Sequence, residues 1–119
     1  MDDSILDTIK KLLGADTTTD FDTDIIIHIN SVFGILKQLG YGPDEGYAIS
    51  DNTATWSDYL QNRSDLNLIK TYIYMRVKSL FDPPQSGFLT DSMTKIIQEF
   101  EWRINVLVDT KEPVKEART

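Results

Sequence analysis

The strongest pattern in the chain is a pair of apolar stripes at helical spacing. Leu66, Ile69, Ile73, Val77 and Leu80 recur in steps of three and four, as do Met93, Ile97, Phe100, Ile104 and Leu107. That period predicts two long amphipathic helices, over 65–81 and 88–109, each needing a partner for its stripe. Between them stands Phe81-Asp82-Pro83-Pro84-Gln85-Ser86-Gly87. Pro84 cannot continue a helix, and Pro83 drives Asp82 out of helical conformation. So short a connection returns the second helix antiparallel to the first.

The same spacing predicts two helices upstream. The first covers 3–13, with Ile5, Leu6, Ile9, Leu12 and Leu13 as its apolar face, a cap among Asp2, Asp3 and Ser4, and a stop at Gly14. It is too short to stand alone, so it must dock on its own core or on a neighbouring subunit. The second covers 23–39 and buries Ile25, Ile26, Ile29, Val32, Phe33, Leu36 and Leu39, ending at Gly40. Residues 41–55 read as a central loop or as a short hairpin of 47–49 with 53–55 around Ser-Asp-Asn. Trp56–Leu60 reads as a turn or short helix whose rings anchor that loop. The fold class is thus mainly α: four principal helices in one domain, 1–109, followed by a polar, proline-broken, extended tail, 110–119.

Composition narrows the function. A chain of 119 residues can bury roughly two thirds of its unfolded surface, enough for one core. It has no cysteine, hence no disulfide and no thiolate metal site. The acidic start, Asp2-Asp3, is unlike a basic secretory leader. The longest apolar run, Ile25-Ile26-Ile27, is far too short for a membrane span. A net charge of −7 disfavours binding to phosphate backbones and anionic membranes. The one basic doublet, Lys10-Lys11, reads as a solvated helix face.

Catalytic patterns are incomplete. Asp20, Asp22 and Asp24 start a calcium-loop spacing, but Ile25 and Ser31 occupy the positions of its glycine and bidentate acid, so the acids read as a helix cap and first turn. His28 is the only histidine and has no companion ligand nearby in sequence. Glu99 and Glu101 fall on different sides of their helix. No enzyme and no cofactor are expected. Tyr74 and Trp102 lie off the main stripes. With Met75 and Arg103 beside them they are candidates for a subunit interface; aromatic wrapping of a small core is the equal alternative.

The order and spacing of several segments carry a resemblance: DDSILDTIKKLLG (Asp2–Gly14), FDTDIIIHINSVFGILKQLGYGP (Phe21–Pro43), TWSDYL (Thr55–Leu60), Leu80-Phe81-Asp82-Pro83-Pro84, and Glu101-Trp102-Arg103-Ile104-Asn105. Over nearly its whole length the sequence resembles the head–tail connector (adaptor) proteins of tailed phages with long non-contractile tails. The resemblance implies a small, helical, non-enzymatic virion protein, made in the host cytoplasm. About a dozen copies would form a closed ring below the portal. Its partners would be further copies of itself, the portal protein, and a downstream neck or tail-completion protein. DNA would pass through the lumen unbound. The resemblance also makes the tail a portal-docking arm, with Val114, Lys115 and Arg118 as candidates. The ring needs two complementary surfaces, and the first helix and the off-stripe patches around Tyr74 and Trp102 are the expected suppliers. The competing reading is a small helical regulatory or nucleic-acid-binding module.

Overall fold

The computed structural model describes residues 3–63 and 65–111. Over these residues the chain forms five helices: α1 (Ile5–Leu13), α2 (Asp22–Gln38), α3 (Trp56–Leu60), α4 (Leu66–Phe81) and α5 (Gly87–Lys111). The mainly helical class holds, and no strand occurs among the described residues. Thr110 and Lys111, assigned to the tail from sequence, continue α5.

The core is built around α4, which packs on α2, α5 and α1. Ile69, Ile73 and Val77 are buried where these helices meet. α2 contributes Ile25, Ile29, Val32 and Leu36, all buried and all on one helical stripe. Phe21, at the start of α2, meets Phe81, at the end of α4, edge to face with ring centroids 5.5 Å apart. The two helices therefore run antiparallel. Ser79 of α4 reaches Met93 of α5, and Tyr72 reaches Glu101, so α5 also returns antiparallel, as the proline stop requires. Leu80, expected on the buried stripe, is 52 % exposed. The last turn of α4 is left uncovered on that side while Phe81 turns toward Phe21.

α1 docks on its own chain. Ser4 caps it by accepting a hydrogen bond from the Asp7 amide at 3.1 Å, and Gly14 closes it with φ 78°. The Ile5 amide donates to the Ala54 carbonyl at 3.0 Å and the Trp56 amide to the Asp3 carbonyl at 3.2 Å. These bonds make a single antiparallel bridge between Ser4 and Thr55. Ile5, Leu6 and Ile9 are buried, so α1's apolar face is not free for a neighbouring subunit. Leu12 is exposed, because it sits in the final turn at the edge of that face. Lys10 departs from the solvated-face reading. It is 7 % exposed and pairs with Asp22 of α2 at 2.8 Å; its stem covers the core while its ammonium reaches the acid. The α2 acids therefore do not cap by side-chain hydrogen bond; Asp22 holds α1 instead.

Residues 41–55 form a loop, because the would-be strands find other partners. Thr55 pairs with Ser4, and Ile49 is held by Asn30. The Asn30 amide donates to the Ile49 carbonyl at 2.9 Å and accepts from its N–H at 2.8 Å. One side chain thus does what a neighbouring strand would do. Phe33, Tyr41, Tyr47 and Tyr59 gather beneath the loop, with the Phe33 and Tyr59 centroids 4.5 Å apart. Gly42 is required here: its φ is +97°, and a Cβ would lie 2.9 Å from the Tyr59 hydroxyl.

Candidate functional site

With α1 to α3 turned inward, the remaining apolar surface is concentrated on the α4–α5 hairpin. Five of the nine exposed large apolar side chains among the described residues belong to α5: Phe88, Leu89, Ile96, Trp102 and Val106. The hairpin itself is held by a polar clasp. Glu101 of α5 accepts a hydrogen bond from the Tyr72 hydroxyl of α4 at 2.8 Å and pairs with Arg76, whose Nε donates to the same hydroxyl at 3.2 Å. Burial pushes the Tyr72 phenol up to about 12, with the Glu101 carboxylate adding to the rise and Arg76 opposing it. Burial opposes the charge of Arg76, but its bonds to Tyr72 and Glu101 outweigh that and raise its pKa. Glu99, two residues before Glu101, lies on the outer side, paired with Arg103 at 2.7 Å. The two acids part as the helical period requires.

Beside the clasp an open groove of about 440 Å³ runs between the two helices, lined by Met75, Lys78, Pro84, Leu89, Ser92, Met93 and Ile96. Lys78 on its rim pairs with Asp82 at 3.2 Å. The outer side of α5 carries a ridge instead. Phe88 and Val106 are eighteen residues apart, five turns of helix, so they fall on one line, with Trp102 one turn before Val106. Phe88 is 78 % and Trp102 65 % exposed.

The four candidate interface residues therefore separate. Trp102 and Arg103 lie on the outer side of α5. Met75 is 8 % exposed and forms part of the groove wall, so it is not an outer-patch residue. Adjacent residues lie about 100° apart on a helix, so Met75 and Tyr74 do not share a direction. Tyr74, on the next position, is half-buried against the core. Val114, Lys115 and Arg118 lie outside the described residues. Leu89 and Ile96 were missed by the stripe reading. Their spacing of seven, with Met93 between, is the signal that would have found them.

Among the described residues, no group of three His, Cys, Asp or Glu side chains could hold a metal. His28 packs against the Phe81 ring, centroids 6.5 Å apart. No described helix is long and apolar enough to cross a membrane.

The sequence model of a family described as phage connector protein matches residues 5–111, from the first residue of α1 to the last of α5. Comparison with curated proteins and with solved structures gives no match.

Proposed function

We propose, since the chain belongs to the phage connector protein family, that it is a structural subunit of the virion neck, copies of which form a ring between portal and tail. The observation that carries this reading is the extent of the match. It covers every helix, so what is shared is a packed scaffold rather than a local site. The exposed apolar side chains of α5 supply surface for neighbouring copies. A ring of copies at −7 each is strongly negative as a whole, which disfavours adhesion of DNA passing through it. The ion pairs of Lys10, Arg76, Lys78 and Arg103 with carboxylates point the same way, since these cations are already engaged. The nucleic-acid-binding alternative needs a basic recognition surface, and these four cations among the described residues are already paired with acids. The role is mechanical and calls for no catalytic step.

Electron microscopy of the purified protein, alone at rising concentration and mixed with portal, tests the proposal. Rings are expected with portal or at high concentration. Their absence under every condition, portal included, overturns it.

A further inference from the structure

We propose that the copies associate head to tail, the Trp102 ridge of one copy seating in the α4–α5 groove of the next. This rests on the ring reading above and names the contact that would build it. The groove is an adaptable apolar slot. Met75 and Met93 bring thioethers, which fit irregular shapes and make favourable contacts with aromatic rings. Leu89 and Ile96, both exposed, form its outer wall. Trp102 is the matching projection: a large ring, mostly exposed, with Val106 beside it.

Trp102 cannot fill the groove of its own copy. It is six residues past Ile96 on one continuous helix, about 9 Å farther along the axis and about 120° around it. The chain beyond α5 is no better an occupant. Residues 112–119 offer only Pro113, Val114 and Ala117 as apolar side chains, with no aromatic to meet the thioethers. A second copy is the occupant that fits, since it brings an exposed Trp102 with Val106 beside it to a slot lined by two thioethers. Charge allows this contact although each chain carries −7. The groove rim holds the Lys78–Asp82 pair and the ridge holds the Glu99–Arg103 pair, so both surfaces are locally neutralised. Because groove and ridge differ, each contact leaves one of each unfilled. Copies can then add in sequence until the rotation closes a ring.

The test uses the full chain, with Trp102→Ala as the ridge variant and Leu89→Glu and Ile96→Glu as separate groove variants, all checked for helical circular dichroism. All three substitutions fall on exposed positions. Each variant alone should need about 30-fold more protein to assemble, as for loss of an interface hot spot. A one-to-one mixture of ridge and groove variants should give dimers and nothing larger, because one intact contact remains. In the wild type, assembly should shield Trp102 from acrylamide quenching while Trp56, buried throughout, stays unchanged. If wild type forms rings and Trp102→Ala forms them equally well, this inference fails and the ring reading stands. Wild-type assembly that stops at two copies also overturns it, since that is a reciprocal pair. If wild type never assembles, even with portal, the ring reading fails and this contact falls with it.

Discussion

The phenols of Tyr41 and Tyr72 show how burial acts on single residues, each being pushed up to about 12. For Tyr41 burial is the main cause, with Arg63 working against it and Asp65 adding to it. A phenol raised in the folded state binds its proton more tightly there than in the unfolded chain. Its contribution is full below the unfolded value near 10 and is lost as pH climbs toward 12. Stability should therefore be flat in these groups at neutral pH and fall steeply across that alkaline window. Tyrosinate difference absorption and far-ultraviolet circular dichroism, followed together, check this. Tyrosinate formation from all five tyrosines before any loss of helix would contradict it. Tyr59 is raised by burial in the same direction, and its hydroxyl has no hydrogen-bond partner among the described residues. It is kept for its ring, which fills the space under Gly42.

At the scale of elements, α1 and α3 have locally determined boundaries. α3 is only five residues long, but a reciprocal capping box secures its start: Asp58 N–H donates to the Thr55 hydroxyl and Thr55 N–H to the Asp58 carboxylate. The α4–α5 hairpin depends on the Tyr72–Arg76–Glu101 clasp as well as on Ile97 and Ile104. The Arg76 and Glu101 side chains are 33 % and 23 % exposed, so the pair is partly shielded from solvent. It should couple more strongly than a surface pair. A double-mutant cycle with Arg76→Ala and Glu101→Ala in urea unfolding should give about 1–2 kcal/mol. A coupling near zero would mean that the apolar contacts alone hold the hairpin. The outer Glu99–Arg103 pair, exposed on both sides, should contribute little to folding.

For the whole molecule, the small size of the proposed contact matters. Burying one tryptophan removes about 150–250 Å² from water, worth about 4–6 kcal/mol before costs. Association costs about 4–15 kcal/mol in lost freedom, so a contact dominated by one ring is weak unless several close together or a partner orients the copies. Such a weak contact fits the proposed assembly, in which the portal orients the copies. The proposed portal-docking arm can be tested at the same scale. Truncation after Lys111, the last residue of α5, removes Val114, Lys115 and Arg118 but none of the described core. The shortened protein should unfold at the same urea midpoint and bind portal more weakly. Unchanged affinity would remove the arm from the proposal.

The hydrophobic period and the proline stop determined by themselves that this protein is a helical domain with an antiparallel C-terminal hairpin. Both signals are local, since a stripe at i, i+3, i+4 or a ring lacking an N–H acts wherever the chain goes. The identity of the buried stripes at Ile69, Ile73, Ile97 and Ile104 was legible for the same reason. Contacts between distant segments were not. Lys10 is buried because Asp22 arrives beside it, Ile49 needs no strand partner because Asn30 supplies both bonds, and Leu80 is exposed because nothing covers the last turn of α4. The candidate site divides in the same way. Its apolar positions on α5 can be read from the sequence, Trp102 among them. Only the packing of α5 on α4 decides that Met75, Met93, Leu89 and Ile96 make a groove on one side while Trp102 stands on the other, because a groove exists only once two helices meet.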